Sequence, residues 1–226
     1  MDNICFDFSD FHRHGSAFYK FLALRKQVFV DELGWQIPHN ATVEMDQYDT
    51  PVAHYSLVMQ DGEVVGGARA MATTAVWGEH TYMLRDAYSG KLPHIPPHVM
   101  SVEIASAHVW ECTRLVISSK LKTGAERSEC LALIVDGLVD IARDQGAEEL
   151  ICLSSLALMR ALRQLGYQVA QLGATYRNCD DGRLYAVLRM PAEYSKSRKS
   201  IEEMAAAVIG NGASRTMGPA MHPAFA

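Results

Sequence analysis

Charged side chains of both signs recur through the first half of the chain at positions that suit a binding site. Three carboxylates fall within six residues of one another, and Glu111 and Arg114 interrupt the apolar run VWECTRLVI. Charges in such a run are costly to bury unless they are paired. A dense network of this kind suits a small zwitterionic ligand with an amine and a carboxylate. Its members are Arg25, Glu44, Asp46, Asp49, Arg69, Glu111 and Arg114.

Each of these charges also has a purely structural interpretation. Three acids in a loop are typical of a solvated, turn-forming segment, and Arg69 alone fits an exposed strand position. Glu111 and Arg114 are equally compatible with a structural ion pair, with each other or with Arg25. On an ideal strand Glu111 and Arg114 point to opposite faces. If both serve one site, the strand must bulge or the site must wrap around its edge.

Two aromatic residues follow the first arginine. Phe29 and Trp35 offer ring faces that attract a cation such as a sulfonium, although a tryptophan there is also typical of a core or lid residue. The surrounding segment predicts an amphipathic helix over residues 18–31, with Ser16 as its N-cap and Gly34 at its end. Its apolar stripe, at three- and four-residue spacing, contains Phe18, Phe21, Leu22, Arg25 and Phe29.

The elements that must position these residues mix strands and helices. After the first helix we expect a loop at 35–53 and a hairpin that turns at Asp61-Gly62, where Gly66 and Gly67 predict a bulge or a close backbone approach. Residues 75–100 are predicted to be a proline-containing loop. The predicted elements that follow are a strand at 108–118, a helix at 126–145, a strand at 149–155, a helix at 156–166, and strands at 167–173 and 183–190.

This order predicts one α/β domain over residues 1–191, a three-layer sandwich around a mixed β-sheet. Residues 192–226 are rich in Gly, Ala and Pro, and we expect a flexible tail with at most a marginal helix over 201–209.

Composition narrows the class of protein. A net charge of -5 argues against bulk attraction to nucleic acid or to an anionic membrane. The N-terminus lacks the features of a signal peptide, and no apolar run approaches the ~18 residues of a membrane span. None of the five cysteines has a metal-ligand spacing. We therefore expect a cytoplasmic protein without a metal site.

The ordered set of residues resembles the acyl-homoserine-lactone synthase family of bacterial autoinducer synthases. The pattern is R-x3-F-x5-W, then E-x-D-x-Y-D, a single arginine after the hairpin, and E-x-x-R. The similarity runs from about residue 18 to residue 190 and implies a fold like that of the GNAT acyltransferases. Thr113 stands where the family often has Ser. Ser154 and Ser155 occupy a strand end where many members that prefer 3-oxo acyl chains have Thr, and residues 70–110 carry a proline-rich insertion.

The resemblance implies a two-step reaction. The amine of S-adenosylmethionine attacks an acyl thioester, and the methionine carboxylate then displaces the sulfonium, releasing the lactone and 5′-methylthioadenosine (MTA). S-adenosylmethionine is then a substrate, and no cofactor is expected. Glu111 is the preferred base, because burial raises a carboxyl pKa. Asp46 and Asp49 are expected to hold the ammonium and sulfonium end, and Arg69 or Arg25 the carboxylate. The remaining residues that we expect at the site are Phe29, Trp35, Glu44, Thr113, Arg114, Ser154 and Ser155.

The acyl group requires a pocket and a carrier. We expect the pocket between the sheet and the C-terminal helices, lined by Leu115, Ile117, Leu133, Leu153 and Met159. Acyl carrier protein is the usual donor of the family, with acyl-CoA as the alternative. Because that carrier is acidic, its user needs a basic surface, for which the candidates are Lys120, Lys122, Arg127, Arg160 and Arg163.

Two other functions fit part of the pattern. One is a general GNAT N-acyltransferase that uses acetyl-CoA; such enzymes cradle a pyrophosphate in a glycine-rich loop, whereas LKTGAERS at 121–128 has a single glycine. The other is a non-catalytic domain that binds a small metabolite through the charge network.

Overall fold

The computed structural model describes residues 1–195 of the 226-residue chain. The tail predicted at 192–226 falls mostly outside this range, as does the whole of the marginal helix predicted at 201–209. The residues just before that limit remain in contact with the domain. Ala192 is buried, and its N–H donates to the carbonyl of Glu148 at 2.8 Å.

One mixed sheet runs through the middle of the described domain. Its strands lie in the order β1-β2-β3-β4-β5-β8-β6, and β7 also pairs with β8. Among the described strands, β4 and β5 are parallel and the other pairs are antiparallel. The strands are β1 Asp2–Asp7, β2 His54–Gln60, β3 Glu63–Ala72, β4 Val109–Ile117, β5 Glu149–Ser155, β6 Ala170–Gln171, β7 Tyr176–Arg177 and β8 Leu184–Pro191.

Helices cover both faces of this sheet. On one face α1 and α2 pack with Phe6 of β1 and Tyr55 of β2, whereas α3 and α4 share a second core on the opposite face. The predicted three-layer α/β sandwich is therefore confirmed. Within residues 1–195, no helix is both long and apolar enough to cross a membrane. The helices are α1 Ala17–Arg25, α2 Met83–Tyr88, α3 Gly124–Asp144 and α4 Leu156–Gln164.

The hairpin of β2 and β3 forms where the sequence predicts it. Asp61 and Gly62 both have positive φ, 51° and 77°, as a tight two-residue turn requires. The close approach predicted at the two glycines is confirmed as well. A Cβ on Gly66 would lie 2.5 Å from Cys130 Sγ, and a Cβ on Gly67 would lie 2.5 Å from a methyl carbon of Leu57. The second strand therefore lies against its neighbours on both faces.

The first helix differs from the prediction in its geometry. It is α-helical only to Arg25 and then continues as a π-helix over Lys26–Glu32, so the regular helix predicted at 18–31 is wrong in its second half. Ser16 occupies the N-cap position without a side-chain hydrogen bond to the helix. The wider π turns alter the spacing between Arg25 and Phe29, and such segments are frequent at functional sites.

Three further elements correct the sequence interpretation. β1 was not predicted, because an isolated edge strand of six residues carries little periodic signal. The loop predicted at 75–100 contains α2, a helix too short for a sequence pattern to reveal. The strand predicted at 167–173 is reduced to β6, whose two residues are both exposed at the edge of β8.

Candidate active site

A bulge in β4 brings the charged residues of that strand to one face. Opposite the step from Gly67 to Arg69 on β3, the partner strand advances from Val116 to Thr113, which is one residue more. The extra residue is Arg114, and its φ of 55° lies in the left-handed region that non-glycine residues rarely adopt. Thr113 and Arg114 thus both reach the charge network, which confirms the bulge that a shared site requires.

The innermost part of the network surrounds Arg25. Its Nε donates to Glu44 Oε2 at 2.6 Å, and its two terminal nitrogens donate to the two oxygens of Asp49 at 2.7 and 3.0 Å. The hydroxyl of Tyr55 also donates to Asp49, at 3.1 Å. The side chains of Arg25, Glu44 and Asp49 have no exposed surface. This part of the network is a closed internal scaffold.

The outer part of the network is built on two further arginines. Arg69 grips Asp46 with both terminal nitrogens, at 2.6 and 3.1 Å, and its Nε donates to Thr113 Oγ1 at 3.1 Å. Arg114 reaches the same carboxylate with Nη2 at 2.7 Å and donates from Nε to Glu44 at 3.3 Å. The Arg114 side chain retains 12% of its exposure, against 1% for that of Arg69.

Three arginines and three carboxylates make this network electrically neutral. Burial alone would raise the pKa of Asp46, but Arg69 and Arg114 outweigh it and hold that pKa well below its ordinary value. The pKa of Asp49 is lowered in the same way, against its burial, by Arg69 and Arg25. Asp46 and Asp49 are therefore ionised at neutral pH, and neither is suited to accept a proton.

Glu111 is the carboxylate left over from this pairing. It is 1% exposed, and its two oxygens accept from the backbone N–H groups of Met83 and Leu84, each at 2.8 Å. Those amides are the first two of α2. Burial raises the pKa of Glu111 to about 7, although the two amide donors act in the opposite direction. Glu111 therefore has a proton affinity matched to neutral pH, in contrast to Asp46 and Asp49.

Aromatic rings border the network on its exposed side. Phe29 and Trp35 stack with their centroids 4.7 Å apart and their planes 14° from parallel. The indole N–H of Trp35 donates to Asp181 at 3.0 Å, and the hydroxyl of Tyr185 donates to the same carboxylate at 2.8 Å. The Arg114 guanidinium lies 5.6 Å from the centroid of Phe29. The π-helix and the last hairpin of the sheet therefore hold Trp35 from two sides.

A cavity of about 700 Å³ extends from the network into the domain. The last paired residues of β4 and β5 are Glu111 and Ile151. Beyond them the two strands diverge, and the cavity lies between them. One end is polar and aromatic, and the rest is apolar, with walls from α3, α4 and β8. The polar end is lined by Phe29, Trp35, Asp46, Tyr48, Thr113 and Arg114; the apolar part includes Leu115, Ile117, Val135, Leu138, Leu153, Leu158, Leu162, Leu188 and Met190.

The residues expected at the site fall into two groups: those that line the cavity, as named above, and those that lie behind its wall. Arg25, Glu44, Asp49, Arg69 and Glu111 belong to the cluster but do not line the cavity; Met83, one of the donors to Glu111, does line it. Ser154 and Ser155 also lie in the wall, and Ser155 Oγ accepts from the N–H of Leu158 at the start of α4.

A cavity lies where the acyl pocket was predicted, and its occupation by an acyl chain stays a prediction. Leu115, Ile117 and Leu153 line the cavity, whereas Leu133 and Met159 pack against the core beside it. The sequence interpretation missed Tyr48, although it lies inside the quoted acidic motif. It also missed the cavity residues of α3 and α4, because apolar helix positions give the same signal whether they face a cavity or a solid core.

The sequence also matches a known protein family. Residues 10–200 match the family model described as autoinducer synthase. The chain belongs to the autoinducer synthase family. An acyl-homoserine-lactone synthase from Aeromonas salmonicida is 31% identical to this synthase over 152 residues, which are 66% of this chain and 68% of the relative. The predicted enzyme class, acyl-homoserine-lactone synthase, is confirmed, and the two alternative functions lose their support.

Solved structures give the same result for the fold. TofI, crystallised in a ternary complex with an inhibitor and MTA, is 26% identical and superposes with a TM-score of 0.67 over 85% of this synthase and 92% of TofI. BjaI, a CoA-dependent acyl-homoserine lactone synthase solved with SAM and isopentyl-CoA, shares the fold at 19% identity and a TM-score of 0.66, covering 84% of this chain and 82% of BjaI. The GNAT-like architecture is thus common to all three.

The start of α3 in this synthase is closed by its own side chains. Thr123 Oγ1 accepts from the N–H of Glu126 at 3.1 Å, and Glu126 Oε2 accepts from the N–H of Thr123 at 2.8 Å and of Lys122 at 3.1 Å. This capping box satisfies amides that a helix N-terminus otherwise offers to a phosphate. The start of α3 therefore carries a carboxylate of its own.

Proposed function

We propose that this chain makes an N-acyl-L-homoserine lactone quorum-sensing signal from S-adenosylmethionine and an acyl thioester, by N-acylation and then lactonisation with release of MTA. The observation that carries the proposal is the two-part cavity. A neutral network of ion pairs meets one end, and apolar side chains line the rest. These two surfaces match a charged amino-acid substrate and a fatty acyl chain. S-adenosylmethionine is consumed as a substrate, and the chemistry needs no cofactor.

The polar end of the cavity is the proposed site of S-adenosylmethionine. Trp35 and Phe29 offer ring faces to the sulfonium, and Asp46 is the carboxylate in the cavity wall that faces the ammonium. We assign the substrate carboxylate to Arg114, because its guanidinium lines the cavity while those of Arg25 and Arg69 are enclosed by acids. Thr113 adds a hydroxyl beside it. Glu44 and Asp49 do not line the cavity, and their role is to hold the arginines in place through ion pairs.

Glu111 is the proposed base for the first step. The substrate ammonium has a pKa near ~8, so it must lose a proton before it attacks the thioester carbon. Glu111 takes that proton directly or through a water molecule, a contribution of about 10²–10⁴-fold. The carbon–sulfur bond of the thioester then breaks as the amide forms, and the thiol leaves. The pKa of Glu111, about 7, suits this proton transfer at neutral pH.

The second step needs less help from the protein. The substrate carboxylate is already charged, and it displaces the thioether by attack on its own γ-carbon, closing the lactone and releasing MTA. Holding the carboxylate near that carbon supplies much of the acceleration, as in other intramolecular reactions. Arg114 has a clear role here, since it orients the carboxylate through charge-assisted hydrogen bonds.

We propose acyl carrier protein as the acyl donor. The main support is the capping box of α3, in which Glu126 places a carboxylate beside the helix N-terminus, where its charge would repel a CoA pyrophosphate. Basic residues on the surrounding surface suit an acidic carrier, and Lys120, Lys122, Arg127, Arg160 and Arg163 are all exposed. The CoA-dependence of BjaI makes acyl-CoA the alternative donor.

The test is release of MTA and free thiol by the purified chain. S-adenosylmethionine is supplied with acyl carrier protein or CoA thioesters of matched chain length. The proposal expects both products in equal amounts, with a higher kcat/KM for the carrier-protein donor. No MTA with any donor would overturn the function. Equal or better use of acyl-CoA would overturn only the choice of donor.

A further inference from the structure

A second buried acid lies close to the network but outside it. Asp86 is 1% exposed and sits in α2. Its carboxylate accepts from the Tyr48 hydroxyl at 3.0 Å and from Thr81 Oγ1 at 2.7 Å. His80 Nδ1 lies 3.1 Å away and Lys91 Nζ 3.3 Å away. Nothing in the proposed chemistry uses this carboxylate, and a buried acid with so many partners calls for a role.

The position of Asp86 links it to two parts of the active site. Through Tyr48 it is joined to the loop that carries Asp46, and Tyr48 itself lines the cavity. Through α2 it is joined to Glu111, because the two oxygens of Glu111 accept from the Met83 and Leu84 amides of the same helix. A six-residue helix has little stability of its own. Its place is therefore set by such side-chain anchors.

We propose that Asp86 is a positioning residue, which fixes α2 to the S-adenosylmethionine loop and so controls how firmly the helix amides hold Glu111. The proposal rests on the role of Glu111 as the base. When Glu111 is bound to both amides it is shielded from the cavity by Met83. The α2 amides therefore set how Glu111 is held, and Tyr48 connects α2 to the loop that carries Asp46.

The expected pH effect follows from the groups around Glu111. The two amides stabilise its charged form, so loosening α2 raises its pKa and moves the rising limb of activity to higher pH. Several other groups also act on Glu111 or on Asp86 from the neighbouring elements, and all of them stay in place in the variants below. They are Asp46, Arg69, Tyr82, Cys112 and Cys152 around Glu111, and His80 and Lys91 around Asp86.

The experiment is a pH profile of the single-turnover acylation rate for D86N and Y48F. D86N is expected to move the rising limb upward by about one pH unit, because one unit corresponds to loss of roughly one charge-assisted hydrogen bond. Y48F keeps its ring and loses only the hydroxyl, and we expect a smaller shift in the same direction. The double variant is expected to shift no further than D86N, since both act through one contact.

The matched control is E103Q, which removes the surface ion pair between Glu103 and Arg85 of the same helix. Its profile is expected to match that of the unchanged protein. A uniform loss of rate in D86N and Y48F, with the limb unmoved, would overturn the positioning role. If E111Q retains the limb, the proposed base is wrong instead, so the two failures are distinguishable.

Discussion

The two ends of the cavity recognise their substrates by opposite means. In the network beside the polar end, each charged group has at least one partner of opposite charge, and the guanidiniums of Arg25 and Arg69 each contact two acids within 3.0 Å. At the apolar end, the walls are apolar side chains from five different elements, β4, β5, β8, α3 and α4. The first surface is fixed by pairing and fits one ligand. The shape of the second surface is set only by side-chain packing, so each substitution in the wall changes that shape by a small amount.

This difference explains why the polar end is so densely connected. A buried ion that loses its partner costs several kcal/mol, so removal of one member disturbs the whole network. One methylene in an apolar pocket changes binding by only about 1–3 kcal/mol. A rigid network therefore suits S-adenosylmethionine, whose structure is constant. Apolar walls that tolerate substitution suit an acyl chain, whose length can vary.

The largest expected effect comes from breaking the network at its centre. Arg25→Met leaves Glu44 and Asp49 buried without their main partner, and we expect a loss of about 3–5 kcal/mol in the free energy of unfolding. Urea unfolding at neutral pH measures it. The neighbouring variant Lys26→Met removes an exposed pair with Asp31 and is expected to cost less than about 1 kcal/mol. Equal losses in the two variants would contradict the claim that the buried network depends on each of its partners.

A smaller effect is expected at the apolar end. Leu153→Trp narrows the cavity, so kcat/KM for long acyl chains should fall by about 10–200-fold while the KM for S-adenosylmethionine stays unchanged. Short-chain donors should be affected less. Met159→Trp, on α4 beside the cavity but outside its wall, is the control. A change in S-adenosylmethionine affinity in Leu153→Trp would show that the two ends are not independent.

The smallest effect is expected at the two serines. Ser154→Ala removes a hydroxyl from the wall, and we expect a change of less than about 10-fold in the preference between 3-oxo and saturated donors. Ser155→Ala instead removes the cap of α4, so it should lower stability by about 1 kcal/mol. Competition between paired donors measures the first, and thermal unfolding the second. Exchange of the two outcomes between the serines would refute this assignment.

The sequence could predict the parts of the molecule that have a local signal. Asp61-Gly62 between two alternating runs specifies the hairpin, and the pleat of β4 is enough to infer that Arg114 requires a bulge. The ordered charges also predicted the cluster itself, because buried charges must find partners. These inferences needed only the spacing of residues within one element or one motif.

The remaining features depend on contacts that are distant in the sequence. The amide donors to Glu111 precede it by 27 and 28 residues, in a segment that looks like a loop. The division of the arginines into enclosed and cavity-lining ones depends on how three elements meet. Asp86 gave no signal either, since a single acid in a short apolar segment is common on protein surfaces.

The central claim is that the network binds S-adenosylmethionine while Glu111 performs the proton transfer. The most direct measurement compares E111Q with the unchanged protein, with S-adenosylmethionine affinity by calorimetry and the single-turnover rate between about pH 5.5 and 9. The unchanged rate should rise with pH through about 7, because Glu111 must be deprotonated to accept a proton. E111Q should bind with similar affinity, react about 10²–10⁴-fold more slowly and lose the limb near 7, so that only ionisation of the substrate ammonium near ~8 remains in its profile. Retention of the limb in E111Q, or loss of binding in step with turnover, would contradict the account.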